Sequence, residues 1–265
     1  MIKKICGALM LTGLISHAVA DVSSIKNTCL LNAESPATVK ILDDCWQNRE
    51  TTANQDIITK YLEVNPPVAS NYDIAWRVAR FVSFIGSCGY EAKSYKDSDR
   101  GIKLFSYGVK ASEIAMNLKN NQVEGAFWYA VDLGSYDSAK GGMAGFSDRK
   151  KWLNAATLAN SIDSSYYYYG SNRMLAVYYV VLPKMFGGDN DKALAYLTDA
   201  TTKAPQFKDN WVTLGAYYLT IKNYQKALEN CKKALAMPGI DGKYEEMKYN
   251  KDATECINTA NKKLN

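Results

Sequence analysis

Residues Asp209–Gly239 read DNWVTLGAYYLTIKNYQKALENCKKALAMPG, and the fold follows from them. Trp211, Leu214, Gly215 and Tyr218 recur at three- and four-residue steps, so they share one side of a first helix. Tyr224, Ala227 and Ala234 do the same on a second helix, and Pro238 ends the unit. Gly215 and Ala227 are small where two helices would cross. The large residues fill the space between one unit and the next.

The preceding unit repeats the arrangement. Ala193, Leu197 and Ala200 stand 34 residues before Ala227, Cys231 and Ala234, which is the tetratricopeptide period of about 34 residues. Its first helix departs from the motif. Val177, Val180 and Val181 take the places of Trp211, Leu214 and Gly215, and Pro183 stands near its end. Upstream the pattern loosens. Trp76 and Ala79 fit a first helix, with Gly101, Phe105 and Gly108 on its return. Trp128 and Leu133-Gly134 start another unit, with Phe146–Ser161 as the return helix. No stretch alternates as a strand would. The expectation is an all-α, superhelical stack of tetratricopeptide-like hairpins. Three to four repeats lie between Asn71 and Ala236, with a capping helix over Tyr244–Leu264. An N-terminal helical hairpin (21–70) precedes this repeat domain (71–265).

The chain opens MIKKICGALMLTGLISHAVAD. Lys3 and Lys4, a short apolar run and Ala18-Val19-Ala20 read as a secretory signal peptide (1–20) cleaved near Ala20. The expected location is periplasmic or secreted. The net charge of +5 on 265 residues is spread without a basic run, so nucleic-acid binding is not indicated. Export permits disulfides. Two pairs are candidates: Cys29 with Cys45, flanking a turn at Glu34-Ser35-Pro36, and Cys231 with Cys256 on successive helices. Both would bridge antiparallel helices, and Cys88 stays free. The alternative is five small buried residues. The single histidine is His17, inside the leader. The mature chain therefore lacks a Ser-His-Asp or Cys-His apparatus and histidine-ligated zinc. No metal site and no cofactor are expected.

Three segments carry a family resemblance: GAFWYAVDLGSYDSAKG from Gly125, YYYYGSNRMLAVYYVVLPKMFGGDNDKALAYLTDATTKAPQF from Tyr166, and DNWVTLGAYYLTIKNYQKALENCKKAL from Asp209. They resemble the T-component family of TRAP transporters through Trp128, Leu133, Gly134, Gly170, Arg173, Leu182, Pro183, Gly187, Gly188, Asp189, Lys192, Ala193 and Leu194. That resemblance implies a periplasmic helical-repeat protein that associates with an extracytoplasmic solute-binding protein. A second likeness, to the regulator of microtubule dynamics family, rests on IAWRVARF (Ile74–Phe81) and APQFKDNWVTLG (Ala204–Gly215), and speaks for the shared repeat.

No motif supports catalysis, and the chain is read as non-enzymatic. Asp132 and Asp137 have the composition of an acid/base pair. Their expected state is solvated or ion-paired. Gly141–Gly145 (GGMAG) lacks the Lys-Ser of a phosphate loop and reads as a flexible turn. SSYYYYGSNR (Ser164–Arg173) reads as a junction between repeats, with Gly170 in the turn, a helix from about Asn172, and Asn172 as its cap. The candidate ligand or partner groove comprises Trp128, Tyr129, Asp132, Tyr168, Tyr169 and Arg173, because first helices line the inner surface of such a stack. Arg173 would meet a carboxylate of the ligand or partner; its structural alternative is an ion pair with an aspartate such as Asp132. The functional expectation is an accessory to solute uptake that binds a partner protein or a small organic acid, with an envelope scaffold or peptide-binding assembly factor as the alternative. A homo-oligomer is compatible with either.

Overall fold

The computed structural model describes residues 29–32, 37–64, 70–96 and 98–265, with backbone alone at 142–145. The signal peptide, the turn at Glu34–Pro36 and the Pro66-Pro67 break lie outside the described residues. Twelve α-helices and no strand are found among those described. Helices α1 (Val39–Gln47) and α2 (Thr52–Val64) precede four hairpins. The first pairs α3 (Tyr72–Ser87) with α5 (Asp99–Leu118), with the short α4 (Ala92–Tyr95) between them. The second is α6 (Val123–Lys140) and α7 (Gly142–Ile162). The third is α8 (Tyr166–Val181) and α9 (Asn190–Lys203), joined through a 3-10 turn at Lys184–Phe186. The fourth is α10 (Lys208–Thr220) and α11 (Tyr224–Ala236), and α12 (Lys243–Leu264) closes the stack.

Local sequence starts these helices where the structure has them. Asn71 accepts from the amides of Asp73 and Ile74 ahead of α3, Ser98 from Gly101 ahead of α5, and Asn223 from Lys226 ahead of α11. Each such cap contributes about 1 kcal/mol. Long-range packing then follows the repeat: every hairpin lies on the next, and α12 lies on both helices of the fourth. Small residues permit the crossings. A Cβ on Gly215 would collide with the Cys231 sulfur, and one on Gly170 with the Phe127 ring.

Both cysteine pairs are bridged as paired in the sequence: Cys29–Cys45 and Cys231–Cys256, with Cys88 free. The second bridge joins α11 to α12. The first does not join two helices, because Cys29 stands in an irregular segment ahead of α1. It fastens that lead-in, and Asn54 Oδ1 accepts from the Cys29 amide at 3.0 Å.

The stack curls until its ends meet. Arg49, just after α1, donates from Nε and Nη2 to Glu245 Oε1 on α12 at 3.0 and 2.8 Å, across 196 residues of sequence. This contact encloses the inner face, which the sequence pattern leaves open.

Candidate functional site

The first helix of each hairpin, together with α1 and α12, surrounds a central cavity of about 730 Å³. That volume is in the range of small-ligand pockets. Trp46, Phe84, Trp128, Trp152, Tyr167 and Tyr249 give it aromatic walls, with Val131, Met174, Val177 and Val212 between them. Most charges on its lining are neutralised in place. Arg173 Nε meets Asp209 Oδ2 at 3.0 Å, Lys248 meets Asp252 at 2.7 Å, and Glu245 is held by Arg49. Burial works against the Lys248 ammonium, but Asp209 and Asp252 more than offset it, and its pKa stands raised. The wall is therefore apolar with internally paired charges.

Tyr166–Arg173 forms the most unusual part of this wall. Tyr167, Tyr168 and Tyr169 all have left-handed backbone, with φ of 49°, 54° and 64°. L-residues pay roughly 1–2 kcal/mol each for that conformation. The turn is held from outside. Arg173 Nη1 donates to the Tyr168 carbonyl at 2.8 Å and to Asn210 Oδ1 at 2.6 Å, and Nη2 donates to the Tyr167 carbonyl at 3.2 Å. With the Asp209 contact, Arg173 is fully engaged within the protein. The structural alternative, an ion pair with an aspartate, is the one found, and the aspartate is Asp209 rather than Asp132. The positions of the turn also differ from the expectation. The kink lies inside the Tyr166–Val181 span at Tyr167, Tyr168 and Tyr169, and Gly170 follows it in the regular part of α8. Asn172 is no cap: it is buried, accepts from Asn160 Nδ2 at 2.5 Å and donates to Asp199 at 3.0 Å.

Of the six expected groove residues, Trp128 and Arg173 line the cavity. Tyr129 is buried against Ala155, Ala156 and Leu175 behind the wall. Tyr168 turns outward, stacked on Phe207 at 4.3 Å. Tyr169 packs beside Ala204, Phe207 and Tyr249. Of the four-tyrosine run, the one that lines the cavity is Tyr167, whose hydroxyl donates to Asp241 at 3.2 Å. Asp132 is fully buried, with both carboxylate oxygens unpartnered, and burial raises its pKa well above the usual carboxylate range. Asp137 is buried too, and its Oδ1 has no partner. Asp132 is neither solvated nor ion-paired as expected, because α5 covers it: a Cβ on Gly108 would meet its Cγ. The Gly141–Gly145 run is a turn only at Gly141, with φ of 93°; α7 starts at Gly142.

Sequence reading missed Trp46, Arg80, Trp152 and the α12 residues. Trp46 and Arg80 sit on the N-terminal helices, where the repeat signal is weakest. The guanidinium of Arg80 lies 4.0 Å from the Trp46 ring and 4.9 Å from that of Trp76. The α12 residues look like a cap in sequence, and only closure of the superhelix turns them inward. Cys88 is half-buried on the cavity wall, and burial pushes its thiol up to about 12, which leaves it protonated and a poor nucleophile. Among the described residues no cluster of His, Cys, Asp or Glu is arranged to hold a metal ion. No described helix is long and apolar enough to cross a membrane.

Comparison with known proteins agrees with this architecture. No curated protein matches the chain. A solved thermophilic TPR protein from Thermus thermophilus is similar, with a TM-score of 0.55 and 14% identity, covering 83% of this chain and 96% of that one. At that identity the likeness shows the fold alone. The resemblance to the TRAP T-component finds no support, and the likeness seen in Ile74–Phe81 and Ala204–Gly215 is the one that extends. The family described as regulator of microtubule dynamics protein 1-3 matches residues 39–261. That match takes in all four hairpins and most of α12, so the chain belongs to the regulator of microtubule dynamics protein 1-3 family.

Proposed function

We propose that this is an exported, non-enzymatic helical-repeat protein that holds a short apolar segment of a partner protein in its central cavity. The observation that carries the reading is the wall itself: aromatic side chains from α1, the first three hairpins and α12 converge, and most of the charges beside them are paired within the protein. Such a surface rewards apolar contact and offers few uncommitted charges for catalysis. The protonated Cys88 thiol supports the same reading. The signal-peptide pattern before Ala20 supports export. The solute-uptake role and the extracytoplasmic solute-binding partner rest on the T-component resemblance alone, so they are not part of the proposal.

Site-specific photo-crosslinking in the native host tests this reading. A benzophenone side chain at Val212, on the cavity wall, is expected to capture one defined partner peptide. The same group at the exposed Glu229 on α11 is expected to capture none. Equal capture from both positions, or none from Val212, would sink the proposal.

A further inference from the structure

A second, smaller cleft of about 420 Å³ lies where α6 ends, α7 begins and α8 ends. Its walls are apolar and aromatic. Trp152 and Tyr178 stack at 6.0 Å with their planes 11° apart, and Phe146 stands on the α7 side. One acid lines it. Asp137 is 6% exposed, and its Oδ1 is buried without a hydrogen-bond partner. An unsatisfied acceptor of this kind costs about 1–3 kcal/mol.

Position worsens the imbalance. Asp137 falls in the last turn of α6, which ends at Lys140. The C-terminal end of a helix carries partial negative charge and favours cations. Among the described residues no basic group forms an ion pair with Asp137. Lys140 Nζ lies 4.8 Å from the Tyr136 ring, and Lys151 pairs with Asp148 at 2.9 Å. Arg149 lies 4.0 Å over the Phe146 ring and donates to the Phe146 carbonyl at 2.5 Å. Burial, then the Asp148 charge, raises the Asp137 pKa, and Lys140 and Lys151 offset this only in part.

We infer that this cleft binds a primary ammonium group, with Asp137 as hydrogen-bonding counter-ion and Trp152, Tyr178 and Phe146 as its aromatic walls. Aromatic faces attract cations, most strongly when both are desolvated. An ammonium brings the donor that Oδ1 lacks and the charge that the helix end favours. A neutral alcohol brings neither full charge nor three donors. The ammonium belongs either to a free alkylamine or to a lysine side chain of a partner. The site is separate from the central cavity, touching it through Trp152 and Val177, and does not require the partner-segment reading.

The test is an NMR titration of the full mature chain with n-pentylamine, Nα-acetyl-lysine methylamide and 1-pentanol. Pentylamine is expected to saturate and to shift the Trp152 indole and Tyr178 ring signals, with pentanol at least about tenfold weaker. Asp137→Asn is expected to weaken pentylamine about tenfold or more. Arg149→Ala, which removes the cationic side chain that lines the cleft, is expected to keep or strengthen binding. Preference for the lysine derivative assigns the site to a partner side chain, and preference for pentylamine to a free amine; both support the inference. It is overturned by equal binding of pentanol, by an unchanged Asp137→Asn, or by no saturation in either wild type or Arg149→Ala. Should Asp137→Asn fail to fold, the wild-type shifts decide: pentylamine shifts centred away from Trp152 and Tyr178 overturn the site.

Discussion

The two halves of the stack bury polar groups in opposite ways. From α8 onward, most interior polar side chains bond to one another; Glu245 Oε2 and Glu246 Oε2 on α12 are the buried side-chain atoms there without a hydrogen bond among the described residues. Asn210 donates to the Ala200 and Ala204 carbonyls at 3.0 Å each and accepts from Arg173. Lys208 is 3% exposed, yet its ammonium meets Asn250 and Glu246, both at 2.8 Å. Between α3 and α6 the interior leaves groups stranded: both oxygens of Asp132, Nε1 of Trp76, and Nε and Nη2 of Arg80. Arg77 explains the last of these. It takes both oxygens of Asp43 at 2.7 and 3.0 Å, leaving Arg80 no nearer than 3.6 Å. The half with the regular repeat is the better satisfied half. Where the motif degenerates, packing is no longer self-similar, and polar groups lose the partners that a regular neighbour supplies.

The sharpest way to break this contrast is Arg173→Ala. The substitution strands Asp209, two left-handed tyrosine carbonyls and Asn210 at once. Breaking a buried charge network by removing one member costs roughly 3–5 kcal/mol, and the urea midpoint is expected to fall accordingly. Arg173→Lys is expected to recover less than half of that, because one ammonium cannot reach the four acceptors that the guanidinium fork serves. Full recovery by lysine would show that charge alone holds the turn.

The disulfide of the regular half comes next. Cys231–Cys256 closes a loop with a sequence separation of 25 residues, worth about 3 kcal/mol in the chain-entropy account. The double variant Cys231→Ser, Cys256→Ser is expected to lose that amount, read from thermal or urea unfolding. Cys231 is fully buried beside Gly215, so a loss well above the entropic figure would show that the pair also matters as packing.

The same contrast explains what was legible in the sequence. Spacing along one helix reports its own faces, so Trp211, Gly215 and Ala227 announced the fold, and the 34-residue recurrence extended it. Spacing says little about closure. The Arg49–Glu245 contact joins helices at opposite ends of the chain, and no local pattern encodes it. The cavity's first-helix walls were therefore readable through Trp128 and Arg173, whereas its floor on α1 and α12 was not. The tyrosine run was conspicuous, but which ring faces inward depended on three left-handed residues. Propensity argues against that backbone, and tertiary contacts sustain it, above all the bonds of Arg173.

Asp132→Leu probes the opposite half and should change stability in the opposite direction. Leucine branches where the carboxylate does, but its methyl groups are larger than the oxygens and must repack against Gly108, which lies close to the carboxylate. Removing a buried, unpartnered polar group in this way is expected to outweigh that repacking, with a net gain of about 1 kcal/mol near neutral pH. The pH dependence gives the stricter reading. Burial raises the folded-state pKa of Asp132 above its unfolded value of about 3.9. The protonated folded form is fully favoured below that unfolded value. As pH rises, the unfolded state sheds a proton that the folded state keeps, and stability falls by up to about 1.4 kcal/mol per unit until the folded pKa is reached. The gain from leucine should therefore be smallest near pH 4 and grow as the pH is raised. Asp137 and Glu245 also have raised pKa values and slope the same way, so the wild-type curve alone cannot isolate Asp132. The difference between the wild-type and Asp132→Leu curves can, because the other groups are common to both. A gain that stays flat from pH 4 to 7 would mean that Asp132 finds a compensating partner, and that the degenerate half is as well satisfied as the regular one.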